Sequence, residues 1–449
     1  MEQKMTEGAP LKLISRFAIP IVFGLLFQQV YNLVDSIIVG QILGVNELAA
    51  VGMTGSISFL IIGFCVGTST GFAIPVAQLY GAGDDSGMRR YYANSLWLSG
   101  IFSIVTMVPT LVMCGKILCW IHTPAELYEP AYEYIFIIMC GIPVTYFYNL
   151  FVGIMRSLGN SKTPVYFITF ASVLNVFLDL FFILVFHAGV AGAALATVLS
   201  QAVSASLCAV YMAKKYSILH FEKDEWKPRK YYLKKLCVLG TPMGFQYSIT
   251  AIGSVILQSA VNGLGAQTVA AVTAATKISN FFVCFFDAVG TTMTTYGGQN
   301  AGAGRWDRMP SGLKAAFLIS GSYALAMLFV LSVTGERLLG IFFGTPEELV
   351  IKLAQQYMMI NVIFYIFLAV LEILRFFIQG VGYSKAALIS GGTEMVVRTV
   401  FGLWLVPKLG FGIACYSNAI AWIFADLFLI PLTLWILKKG VEHEKIQNG

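Results

Sequence analysis

From Leu13 to Leu437 the chain is built almost without interruption from apolar segments of about 20 to 30 residues, each long enough to cross roughly 30 Å of hydrocarbon as a helix. No polar stretch between them is large enough to form a soluble domain, which leaves no place for an appended catalytic unit. The expectation is an all-α polytopic membrane protein. Composition agrees, because 57% hydrophobic residues, 12% charged residues and a mean hydropathy of +0.77 do not describe a chain that folds in water. The opening residues, MEQKMTEGAPLKLISR, lack the short apolar core and cleavage site of a signal peptide, so the first apolar segment is expected to stay as a span.

Hydropathy and turn signals predict twelve transmembrane helices, near 13–39, 48–79, 91–114, 128–156, 164–187, 190–213, 236–261, 269–299, 312–334, 349–379, 385–407 and 411–438. The one long charged segment, Lys214 to Lys235, divides them into an N-lobe of residues 1–213 and a C-lobe of residues 236–449, with 214–235 as a linker. Basic residues set the orientation, since Lys- and Arg-rich loops stay cytoplasmic. Lys4, Lys12, Arg16, Arg89, Arg90, Lys162, the linker, Arg305, Arg308, Lys314, Lys385, Lys438, Lys439 and Lys445 fall on one side, against Lys116, Arg337, Lys352 and Lys408 on the other. Both termini and the linker are therefore expected in the cytoplasm of a cell (plasma) membrane protein. The net charge of +6 is then a topology signal, and nucleic acid is not an expected partner.

The two halves repeat one another in order. LGVNELAAV at Leu43 matches LGAQTVAAV at Leu264, GAGD at Gly81 matches GAGR at Gly302, and TPAEL at Thr123 matches TPEEL at Thr345. GNSK at Gly159 matches GYSK at Gly382, and GVAGA at Gly189 matches GFGIA at Gly410. Six helices per half keep the repeats parallel, a transporter construction with its path between the halves.

Polar groups inside the spans mark the candidate site, because an ionisable side chain in hydrocarbon is costly and is usually kept for a task. Gln28, Asn32 and Asp35 share one face of the first helix at i, i+4 and i+7. Ser172, Asn175 and Asp179 repeat that pattern in the fifth, and Thr197, Ser200 and Gln201 form a short stripe in the sixth. Two carboxylates in a poorly solvated chamber repel each other, which suits them to take up and release protons. With Asn175 and Thr197 adding neutral oxygens, the same cluster suits a small hard cation such as Na⁺. A hydrogen-bonded network that only fixes helix packing is the plain alternative.

The C-lobe carries Asn361, Glu372 and Arg375 on its fourth helix and Glu394 and Arg398 on its fifth, a polar network read first as ion-paired struts and second as cavity lining. Asp287 and Asp426 have no evident partner in the sequence. Pro20 removes a backbone donor near the inner end of the first helix and marks a bend. Eight cysteines without a CxxC pair, four scattered histidines and the absence of GxxxxGK[ST] give no permanent metal site, no nucleophile site and no ATP loop. An enzyme is not expected.

The chain resembles the multidrug and toxic compound extrusion (MATE) family of the MOP flippase superfamily over its whole length. The likeness rests on AIP before NLVDSIIVGQILG in the first helix, AIPVAQLYGAG closing the second, RSLGNSKTP closing the fourth, NVFLDLFFIL in the fifth and GVAGAALAT opening the sixth. It implies two six-helix lobes around a V-shaped cavity that rock between inward and outward states. The closest branch is the DinF-like one, whose cation-coupling site corresponds to Asp35, Asn175, Asp179 and Thr197. The resemblance also makes Gln28 a cavity residue and Pro20 the bend of the first helix, while another branch's acid on the seventh helix is absent, where only Gln246 and Gln258 stand. Asn32 and Gln201 complete the expected cavity wall. The expected function is a secondary antiporter, working as a monomer without a cofactor, that exports small organic cations or amphiphiles in exchange for H⁺ or Na⁺. A flippase for a lipid-linked saccharide is the alternative, although its anionic headgroup calls for a cavity lined by Arg and Lys.

Overall fold

The computed structural model of the chain describes residues 4–121, 123–343 and 348–448. His122 and the Thr345–Glu347 part of the second TPxEL copy lie outside them. Every regular element among the described residues is helical. In the first half these are α1 (Pro10–Ile38), α2 (Val45–Ala82), α3 (Asp85–Trp120), α4 (Ala125–Cys140), α5 (Ile142–Ser157), α6 (Lys162–Leu180) and α7 (Gly189–Lys215). The second half has α8 (Lys230–Asn262), α9 (Ala266–Gly302), α10 (Met309–Phe343), α11 (Glu348–Ile363), α12 (Tyr365–Val381) and α13 (Ser384–Val400). It ends with the short turns α14 (Val406–Leu409) and α15 (Phe411–Ala414) and the long α16 (Ser417–Asn448).

Among the described residues, nine helical stretches are long and apolar enough to cross a bilayer alone, and the pairs α4/α5 and α11/α12 each make a further span bent by 46° and 51°. The 33-residue α8, less apolar than these, takes the place of the twelfth expected span. Large apolar side chains such as Val112, Phe170, Phe177, Leu325 and Phe329 stand exposed on the helices' outer faces, a surface that suits lipid.

The fourth and tenth spans were expected as single helices, and both are broken. At the first break Pro143 has no N–H to offer Met139, and Gly141 N–H turns to the carbonyl of Ile138 at 3.0 Å. At the second, Phe364 N–H reaches the Asn361 carbonyl at 3.1 Å and Phe367 N–H the Phe364 carbonyl at 2.9 Å, a tightened turn without glycine or proline. Helix 8 starts at Lys230, inside the segment expected as linker, because KYYLKKL alternates charge and aromatic groups at helical spacing. Pro20 lies inside α1, which continues through it.

Two compact units divide the chain, one of Phe23–Ser248 and one of Met5–Val22 with Ile249–Gly449. In the first, α2 and the start of α8 meet through glycines. A Cβ on Gly67 would lie 2.6 Å from the Met243 carbonyl oxygen, and one on Gly71 would lie 2.5 Å from the Gly240 Cα, so backbone touches backbone there. The segment from Tyr216 to Arg229 folds onto the α3 start of the same unit. Glu225, 2% exposed, accepts hydrogen bonds from Arg89 at 2.6 and 2.9 Å, from Ser86 Oγ at 2.8 Å and from the Glu222 amide at 2.9 Å. In the second unit α9 and α12 lie closest, since a Cβ on Gly380 would meet the Thr294 carbonyl at 2.2 Å. Met5 is fully buried there, its N–H donating to Gln299 Oε1 at 2.7 Å.

Candidate functional site

The first unit contains a cavity of about 550 Å³, within the size range of small-molecule sites. Helical periodicity supplies its wall. Gln28, Tyr31 and Asn32 come from one face of α1, and Ile168, Ala171, Ser172 and Asn175 from one face of α6. Thr197, Ser200, Gln201 and Ser204 come from α7, Thr145 and Tyr148 from α5, Ser58, Phe59, Ile62, Gly63 and Val66 from α2, and Tyr247 from α8. Tyr247 arrives because of the glycine contact, with its Cβ 3.4 Å from where a Cβ on Gly63 would stand.

Asp35 and Asp179 lie just beyond this wall and face each other closely enough for one proton to bridge them. As carboxylates both offer only acceptors. Asp179 is 0% exposed and neither of its oxygens has a donor; Asn175, 1% exposed, has no partner for either end of its amide, and Asp35 Oδ1 is likewise unmatched. Buried polar atoms are ordinarily paired, and a cluster of orphaned ones marks a place where a proton, an ion or a ligand completes the network. Thr197 makes no hydrogen bond to either acid. Its hydroxyl donates to the Ala193 carbonyl at 3.1 Å within its own helix, leaving its oxygen lone pairs to the cavity. Ser172 likewise donates to Ile168 at 2.8 Å, and Gln201 Oε1 accepts from Thr145 at 3.1 Å.

Two residues join this group that the polar stripes do not contain. Tyr31 lines the cavity beside Gln28 and lies within electrostatic reach of both Asp35 and Asp179. Tyr134, from α4, reaches the same two acids and Tyr31. The helical spacing of Tyr31 from Gln28 and Asp35 was the available signal, but one tyrosine among 21 carries no mark in the sequence alone. Val34, Ile38, Val176, Leu180 and Ile183 pack around the acids' helix turns with Val39 and Ala193. Both helices then pass into a π-helical turn, Val39–Leu43 after Asp35 and Phe181–Val185 after Asp179, a local form that recurs at functional sites.

In the second unit the expected polar residues meet in ion pairs. Arg375 bonds Glu372 and, at 2.7 Å, Glu394; Arg398 bonds Glu394 at 3.1 Å and Asn418 at 3.2 Å, and Asn418 reaches Asn361 at 3.4 Å. Asp287 and Asp426, which have no evident partner in the sequence, both lie within electrostatic reach of Arg375. Neither oxygen of Asp426 is hydrogen-bonded. Pro20 groups with this unit and does not line the cavity. The eight cysteines are free thiols.

The MatE family model matches residues 20–181 and again residues 242–404, once in each half of the repeat. The probable multidrug resistance protein YpnP of Bacillus subtilis (strain 168) is 28% identical over 431 residues, covering 93% of this chain and 95% of its own. Among solved structures, a MATE protein in complex with MaL6 superposes with a TM-score of 0.90 at 22% identity, covering 98% of this chain and 99% of that one. The outward-facing form of a multidrug resistance MATE family transporter of the MOP superfamily also gives 0.90, at 23% identity and 97% and 98% coverage.

Proposed function

Since the chain belongs to the MatE family and is a multi-span membrane transporter rather than an enzyme, we propose that it is a secondary antiporter that exports lipophilic, mostly cationic organic compounds in exchange for H⁺ or Na⁺. The observation that carries this reading is the orphaned trio Asp35, Asn175 and Asp179 placed directly behind a cavity of drug size. Like charges this close are relieved by one proton, or by one Na⁺ held with the Asn175 and Thr197 oxygens. A bound cationic cargo relieves them equally well.

That equivalence supplies the coupling. Cargo and ion compete for the same negative charge, so arrival of one favours departure of the other, and alternating access follows if the two favour different conformations. Gln28, Asn32 and Gln201 hold the cargo's polar atoms, while Phe59, Tyr148 and Tyr247 offer aromatic faces to a lipophilic cation. Pro20 acts as the flexible point of α1, and the network of Asn361, Glu372, Arg375, Glu394 and Arg398 braces the second half. The carrier works as a monomer in the plasma membrane with both termini in the cytoplasm, and no organic cofactor takes part.

The test is efflux of a fluorescent lipophilic cation from proteoliposomes, driven in turn by a pH gradient and by a Na⁺ gradient, for the wild type and Asp35→Asn. Gradient-driven transport that the variant loses supports the reading and names the ion. Equal transport by both proteins removes Asp35 from coupling, and transport of a lipid-linked saccharide without either gradient would replace the antiporter with a flippase.

A further inference from the structure

Arg156 lacks the carboxylate partner that Arg89, Arg375 and Arg398 have. Arg89 meets Glu225, and Arg375 and Arg398 meet Glu394, whereas Arg156 has no hydrogen bond or ion pair to any described residue, and its Nε is buried without a partner. Its position in the last turn of α5 suits the negative end of that helix's dipole. The dipole explains a cation at that height but not the direction of the side chain. Arg156 runs back along its helix, as helical side chains do, toward Tyr148, and it also lies within electrostatic reach of Tyr247 and Cys208. Tyr148 and Tyr247 are walls of the cavity, as is Ser204, whose hydroxyl is buried without a hydrogen-bond partner.

Charge of opposite sign thus stands behind the cavity wall in two places, Asp35 and Asp179 within reach of the wall residue Tyr31, and Arg156, just before the turn that begins α6, within reach of Tyr148 and Tyr247. Asp179 is roughly 25 Å along α6 from Lys162, so the acids lie well away from the end of that helix which follows Arg156. A half-buried guanidinium whose Nε is buried without a partner is costly, and its planar fork suits an oxyacid.

Resting on the export reading above, we propose that Arg156, with the hydroxyls of Tyr148 and Ser204, binds an acidic group of the cargo, so that the preferred cargo is a zwitterionic amphiphile carrying a carboxylate or phosphate at one end and a cationic centre at the other. A lipophilic cation without that group fills the same cavity but forgoes the Arg156 contact. This refines the expected cargo without requiring the many Arg and Lys residues that a purely anionic headgroup calls for.

The experiment compares rhodamine B, which carries a free carboxylate, with its ethyl ester, which is the same ring system as a cation only. Binding to the detergent-purified wild type, Arg156→Gln and Arg156→Lys is followed by fluorescence anisotropy, and each protein's thermal unfolding is recorded alongside. In the wild type, rhodamine B binds more tightly than the ester. Arg156→Gln weakens rhodamine B by about ten-fold or more while leaving the ester within about two-fold, as expected for loss of one charge-assisted contact. Arg156→Lys keeps the charge and retains part of the preference; it serves as the deciding variant if Arg156→Gln does not fold. An equal effect on both dyes, or no preference for rhodamine B in the wild type, overturns the assignment of Arg156 while leaving the cavity as a cation site. Binding of neither dye by the wild type overturns it together with the export reading.

Discussion

Asp179 on α6 faces Asp35 on α1 without a single hydrogen-bond donor to either of its own oxygens, so the first unit holds two carboxyl groups close together behind its cavity wall. The C-terminal acids are arranged differently: Glu372 and Glu394 are held by Arg375 and Arg398. In the proposed antiport, stability and transport therefore make opposite demands on the first pair.

Asp179→Asn is expected to raise thermal stability, because the amide removes one of the opposed charges and gives Asp35 a donor. The same change is expected to lower gradient-driven efflux by about ten-fold or more, the loss of one ionisable contact. Differential scanning fluorimetry and proteoliposome efflux on one preparation read both signs, and a variant that loses stability as well would make the pair structural.

Tyr31→Phe removes one hydroxyl within electrostatic reach of the acids and leaves the ring in place. Efflux is expected to fall several-fold with little change in melting temperature, since the exposed side of the ring already faces the cavity. The informative readout is the pH profile of efflux, which shifts if the hydroxyl acts on the acids and is unchanged if it only packs.

Gly67→Ala places a methyl group 2.6 Å from the Met243 carbonyl and must push α8 off α2. A loss of about 1–3 kcal/mol is expected from overpacking a backbone contact. Gly52→Ala, on the same helix with nothing within 4 Å, is the matched control and is expected to be neutral or slightly stabilising. A spin label or fluorophore near Tyr247 would report the displacement of the cavity wall in the first variant only.

Glu225 is held far below the ordinary carboxylate range, from 4.5 down to about 2, first by its hydrogen bonds with Arg89 and then by the Glu222 amide and Ser86. A carboxylate whose pKa is lowered on folding stabilises the fold fully above its unfolded value, and that stabilisation is lost as pH falls through the folded one. Thermal stability is thus expected to decline between about pH 4.5 and pH 2. Glu225→Gln is expected to cost about 2 kcal/mol at neutral pH and to flatten that acid limb, with melting curves across pH as the measurement.

The spans and the site were legible in the sequence to different depths. Long apolar runs need no tertiary information, so the helices emerged from hydropathy, and stripes such as Gln28, Asn32 and Asp35 emerged from the helical period alone. The break at Gly141 has a local cause in Gly-Ile-Pro, whereas the break at Phe364 has none in its own residues, and neither was expected from the sequence. Tyr31, Tyr134 and Tyr247 reach the site through packing between helices that are distant in the chain, and no local pattern separates them from tyrosines that face lipid. Arg156 could be placed at a helix end from sequence, whereas its lack of a partner is a property of three dimensions.

The π-helical turns after Asp35 and Asp179, and a third at Phe401–Leu405, each contain one residue more than an α-helical turn of the same height. Such a turn is a reserve of slack. If the surplus residue moves one turn toward the acid, every side chain it passes swings by about 100° around the helix axis while the chain on either side keeps its length. Asp35 and Asp179 sit at the edge of that reserve, Asp35 four residues before Val39 and Asp179 two residues before Phe181. These helix ends are, in that sense, wound like a ratchet with one free tooth.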